Sequence, residues 1–167
     1  QIPQGVTLRI EPGVVINSNK LDFMFWNQGS LILEGSREDP IRLYGSPRTF
    51  VLVKNASKGS EVDLKGVLFD KGGSIISYGG YSGYVKFSLQ DSEIVDVRDS
   101  MYIWYPEGVA QINSNVFVNS GGLSVGFDSR IAPNGIVISN NLFIGPSTTD
   151  YWVEVWASYG GVVQVHN

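Results

Sequence analysis

Apolar and polar residues alternate along this chain in short runs, each closed by Gly, Pro, Ser or Asn. Thr7-Leu8-Arg9-Ile10 alternates, breaks at Pro12-Gly13 and resumes with Val14 and Ile16. Leu31 and Leu33 keep the same rhythm before a turn through Arg37-Glu38-Asp39, and Ile41 and Leu43 keep it afterwards. A period of two predicts strands, because successive side chains on a strand point to opposite faces. No ten-residue stretch combines helical spacing with a cap and a stop. The chain reads as all-β.

A longer period lies over the short one. Ile112-Asn113-Ser114-Asn115-Val116-Phe117 returns as Ile138-Ser139-Asn140-Asn141-Leu142-Phe143. The spacing also fits Leu89-x-x-Ser92-x-Ile94 and Leu64-x-x-Val67-x-Phe69, and Val165 opens a further copy. The leading residues 64, 89, 112, 138 and 165 are 25, 23, 26 and 27 residues apart. Such a period predicts a stacked solenoid. Leu64, Leu89, Ile112, Ile138 and Val165 should form one inward column, and Phe69, Ile94, Phe117 and Phe143 another. Asn115 and Asn141 should share a corner where amides bond along the axis, with Ser92 and Val67 limiting that ladder.

Thr7-Leu8-x-Ile10-Glu11-Pro12-Gly13-Val14, Gly29-Ser30-Leu31-x-Leu33-x-Gly35 and Asp39-Pro40-Ile41 together resemble the opening of a right-handed parallel β-helix of the pectin-lyase-like superfamily, in its surface-protein and adhesin-like branch. The resemblance spans nearly the whole chain. The repeat period predicts about six or seven rungs, and without an internal linker or composition shift these form one domain over residues 1–167, expected to be a fragment or module of a longer chain. The resemblance says little of activity, since that superfamily holds lyases, hydrolases, phage tailspikes, adhesins and stalks.

Charge and composition narrow the partners. Lys and Arg number 12 against 16 Asp and Glu, net −4, and the basic residues are scattered. Without a basic stripe, nucleic acid is not an expected partner, and no apolar run suggests membrane insertion. The chain has no cysteine, which removes disulfides and thiolate chemistry. Its one histidine, His166, is next to last and reads as a solvated residue.

Candidate chemistry is sparse. Asp91 and Glu93, in a cluster with Asp96, Arg98 and Asp99, have the spacing for one strand face and for a calcium pair; the competing reading is a solvated outer face. Asp128 and Glu154, set outward by alternation in Leu123–Asp128 and Trp152–Ala157, are the candidate catalytic carboxylates, on neighbouring rungs of one face. The aromatic residues are the stronger signal. Tyr102 and Trp104 alternate with Met101, Ile103 and Tyr105, while Trp152 and Trp156 flank Glu154. With Tyr151 and Tyr159, these predict an outer strip of flat rings beside carboxylates, the chemistry that packs against a sugar ring. The competing reading has the rings cover a groove or dock a neighbouring domain.

The expectation is a non-catalytic extracellular or cell-surface module, a rigid stalk whose aromatic face (Tyr102, Trp104, Asp128, Trp152, Glu154, Trp156) takes a polysaccharide, a surface glycan or neighbouring domains of the same protein. No cofactor is expected, calcium being the one metal considered. The alternative is a polysaccharide lyase or glycoside hydrolase, or a tailspike fragment, acting on that face.

Overall fold

The computed structural model describes residues 1–18, 23–46, 51–55, 58–78, 85–128, 135–158 and 163–166. Every strand pair among them is parallel, no helix occurs, and the strands fall into three sheets. The first stacks Thr7–Ile10, Ser30–Glu34, Glu61–Lys65, Lys86–Gln90, Ala110–Asn113, Ile136–Ser139 and Val163–His166. The second stacks Val15–Asn17, Ile41–Tyr44, Val67–Gly72, Glu93–Val97, Val116–Val118 and Leu142–Ile144. The third stacks Phe23–Asn27, Val51–Asn55, Ser74–Tyr78, Met101–Trp104, Leu123–Asp128 and Val153–Ser158. The chain visits the sheets in that order on each rung, so it is a parallel β-solenoid.

Six strands in each of the second and third sheets make five rung-to-rung steps. The coil therefore has about five turns, slightly fewer than the six to seven rungs expected. The rhythm of the sequence counts strand starts, whereas a turn needs a neighbour on the next rung.

The predicted columns hold in register. Leu33, Leu64, Leu89, Ile112, Ile138 and Val165 are successive partners on the first sheet. Leu43, Phe69, Ile94, Phe117 and Phe143 are successive partners on the second. All but the last member of each column are fully buried or nearly so. Val165 is exposed, and Phe143 is half-buried with its ring stacked on Phe117 at 4.9 Å.

The corner between first and second sheets is tight. Gly66, Asp91, Ser114 and Asn140 occupy it on successive rungs, all with left-handed φ of 49° to 59°. Only short polar residues and Gly take that conformation at modest cost. Gly66 has a further reason: a Cβ there would lie 2.3 Å from the Gly35 carbonyl carbon.

The next corner position carries the expected ladder. The Asn115 side-chain amide donates to Asn141 Oδ1 (3.0 Å) and to the Leu89 carbonyl (3.0 Å). Asn141 Oδ1 accepts from the Asn115 backbone N–H, Asn115 Oδ1 from Ser92 N–H, and Ser92 Oγ from Val67 N–H. Each side-chain oxygen caps the backbone donor one rung before it, and the ladder ends at Val67, whose side chain has no oxygen to offer.

Candidate functional site

The outer face of the third sheet gathers the candidate residues. Trp26, Lys54, Ile76, Tyr102, Ser124 and Glu154 are successive register partners, forming one outward column. Two residues further along the strands, Trp104, Gly126 and Trp156 form a second. Alternation places both outside, because the residues between them (Ile103, Val125) are buried. As expected, Tyr102 is exposed (37%) and Met101, Ile103 and Tyr105 are buried, whereas Trp104, expected to be exposed beside Tyr102, is half-buried.

Gly126 creates the central feature. Trp104 and Trp156 sit on strands two rungs apart, roughly 9.6 Å between backbones at ordinary strand spacing. The rung between them carries no side chain at this position. Trp104 leans into the gap, so that a Cβ on Gly126 would lie 2.8 Å from Trp104 Cδ2. The two indoles then meet at 6.3 Å between centroids, tilted by 36°. Trp104 is half-buried beneath this contact, and Trp156 keeps 55% of its surface exposed.

Glu154 lies beside the pair. Its carboxylate accepts hydrogen bonds from Trp156, Tyr151 and Ser124, the last at 3.1 Å. These bonds, the one from Trp156 foremost, hold the carboxyl below its ordinary range against the opposing effect of burial. Ser124 is only 1% exposed, since Tyr102 and Glu154 flank it on the neighbouring rungs.

The segment after the last second-sheet strand fixes Tyr151. Ser147 and Thr149 hydroxyls both donate to the Tyr151 carbonyl (2.9 and 3.0 Å), and Gly122 N–H donates to Thr149 Oγ1 (3.2 Å). The Thr148 hydroxyl donates to the Arg98 carbonyl at 2.6 Å, and the Tyr151 hydroxyl accepts from Ser100 Oγ at 3.2 Å. Burial raises the Tyr102 phenol above its usual range, and Tyr151, Asp99 and Glu154 add to this, while a hydrogen bond with Ser100 opposes it. Asp99 is itself paired with Arg98 at 3.0 Å.

Three expectations need correction. Trp152 does not share the outer strip; it packs against the core and against the Phe143 ring at 5.2 Å. It precedes the strand Val153–Ser158, so the alternation that would send it outward has not begun. Asp91 and Glu93 do not share a strand face. Asp91 is the left-handed corner residue ahead of the strand Glu93–Val97, with Arg37 at 3.7 Å. Among the described residues no group of three or more His, Cys, Asp or Glu side chains is placed to hold a metal. Finally, Asp128 and Glu154 are on neighbouring strands but out of register: Glu154 faces Ser124, and Asp128 faces Ser158. Four residues of strand put their backbones about 13 Å apart. The side chain of Asp128 and the ring of Tyr159 lie outside the described residues.

The sequence reading passed over two contributors. Ser100 reaches both tyrosines, and nothing but its small size before a strand distinguished it. Trp26 (40% exposed) stands on the same outward column as Tyr102 and Glu154, with the Lys54 ammonium 4.9 Å over its ring. Five rung steps separate Trp26 from Glu154, about 24 Å at ordinary strand spacing.

The face thus offers an exposed indole braced by a second, a fixed carboxylate beside it, and further rings along the axis. No family model, no curated protein and no solved structure matches this chain.

Proposed function

We propose that this chain is a non-catalytic β-helix module of a secreted or cell-surface protein, of the pectin-lyase-like and adhesin-like kind, serving as a rigid stalk that binds carbohydrate on the outer face of its third sheet. The observation that carries the reading is the Trp104–Trp156 contact beside Glu154. An exposed indole held against a second indole loses little freedom when a pyranose packs on it, and the neighbouring carboxylate and hydroxyls accept the sugar's hydroxyl protons.

The lyase or hydrolase alternative asks more of Glu154. A proton-donating carboxyl in glycoside hydrolysis has a raised pKa, whereas the hydrogen bonds to Glu154 favour its ionised form. Its partner would be Asp128, four register positions away. Binding is the better-supported use of the same residues.

The test is a glycan array probed with the wild type and with Trp156→Ala, run beside an assay for new reducing or unsaturated ends. Retention on particular glycans, lost in the variant and without end release, supports the proposal. End release abolished by Glu154→Gln replaces it with the enzyme alternative. A folded wild type that retains no glycan overturns the carbohydrate reading.

A further inference from the structure

The charge pattern around the indole pair narrows what the face would select. Two carboxylates, Glu154 and Asp99, lie within electrostatic reach of the Tyr102 hydroxyl. Among the described residues Glu154 is tied to neutral donors: an indole, a phenol and a serine hydroxyl. The cation nearest in sequence, Arg98, is engaged by Asp99 through Nη2 at 3.0 Å. Lys54 sits at the far end of the strip over Trp26. Among the described residues the charge beside the exposed indole is the Glu154 carboxylate, and the ring faces present the negative side of their quadrupoles.

We infer that the Trp104–Trp156–Glu154 end of the face selects a cationic sugar, one carrying a protonated amine, over its neutral N-acetylated counterpart and over uronic acids. The inference rests on the carbohydrate reading above and deepens it. A protonated amine placed over the exposed face of Trp156 gains attraction from the ring and from the adjacent carboxylate. Its three N–H donors match a carboxylate whose bonds to Ser124, Tyr151 and Trp156 leave further acceptor capacity. An N-acetyl group removes that charge. A uronate brings a second anion against Glu154, a like-charge juxtaposition that disfavours binding. Alternative ligands that answer only to flat rings gain nothing from the carboxylates.

Titrations of tryptophan fluorescence with three oligomers separate these cases: β-1,4-linked glucosamine, the same oligomer fully N-acetylated, and galacturonate. At mildly acid pH the amine oligomer should bind about tenfold tighter than the N-acetylated one. Added salt should erode the difference. Glu154→Gln should abolish the preference, bringing the two glucosamine oligomers to equal affinity. Glu38→Gln, which removes an equal charge from a turn on another part of the coil, should leave the preference intact.

Equal affinity for the two glucosamine oligomers overturns the inference and leaves carbohydrate binding standing. Tighter binding of galacturonate overturns it as well. An equal effect of Glu38→Gln and Glu154→Gln overturns the assignment to this site, since a general attraction of a polycation to an acidic protein would then explain the preference. Should none of the three bind, the inference is overturned, and the glycan array decides the carbohydrate reading separately.

Discussion

The indoles of Trp104 and Trp156 touch, 6.3 Å between centroids, across a rung that contributes only Gly126 between them. The contact links a half-buried ring to an exposed one. It holds Trp156 at a defined angle beside Glu154, to which the same side chain donates a hydrogen bond. A glycine inside a strand usually weakens it. Here its missing side chain makes room for the residue that organises the face.

Gly126→Ala tests that relationship. The added Cβ would stand 2.8 Å from the Trp104 ring, so the indole must swing away. Alanine is the better strand residue by roughly 0.5–1 kcal/mol, which offsets part of the lost contact. The near-ultraviolet circular dichroism of the tryptophans should change markedly while stability moves by less than about 1 kcal/mol. An unchanged spectrum would mean that the rings do not pack as described.

The second-sheet column gives a graded prediction. Phe117 is fully buried and stacked on Phe143, so Phe117→Ala should cost about 3–5 kcal/mol in denaturant unfolding. Phe143 is only half-buried on the last rung of its sheet, and Phe143→Ala should cost less, about 1–3 kcal/mol. The reverse order would mean that the rung assignment is wrong.

The corner ladder predicts a second gradient. Asn115 bonds both to Asn141 and to backbone, and it caps the Ser92 N–H, so Asn115→Ala strands several buried groups. It should cost about 1–3 kcal/mol in the same unfolding experiment. Asn115→Asp should be no better, because the carboxylate cannot donate to the Leu89 carbonyl.

Glu154 predicts a pH dependence of known sign. Its folded-state pKa lies below the ordinary 4.5, so the unfolded chain takes up its proton first as pH falls. The stabilisation is present above pH 4.5 and is lost as pH drops through the lowered folded value. The melting temperature of wild type should therefore fall more steeply than that of Glu154→Gln below pH 4.5. Parallel curves would mean that the hydrogen bonds from Trp156, Tyr151 and Ser124 do not favour the charged form.

Much of the coil was legible because inward residues repeat at nearly constant spacing on the first two sheets. Leu89, Ile112 and Ile138 are neighbours in space as they are in the repeat, and Asn115 and Asn141 follow from the same count. The third sheet was harder. Its strands follow connections of varying length, so that Trp26, Lys54, Ile76, Tyr102, Ser124 and Glu154 stand 22 to 30 residues apart although they form one column. Alternation within a strand exposed Tyr102 correctly, yet it gave no register between strands, and Asp128 was set beside Glu154 when Ser124 is its true neighbour. Trp152 and Asp91 failed for a related reason. Each lies just outside a strand, where the period of two does not apply.

Carbohydrate binding through Trp104 and Trp156 on the outer face of the third sheet is tested by a calorimetric titration of a retained glycan into wild type, Trp104→Ala, Trp156→Ala and the double variant, with thermal unfolding of each recorded alongside. Each single substitution should weaken binding by about 1–2 kcal/mol, as moderate interface residues do, with cooperative unfolding preserved. Because the rings touch, the double variant should lose less than the two losses added together. Unchanged affinity in folded Trp156→Ala and Trp104→Ala would contradict the claim.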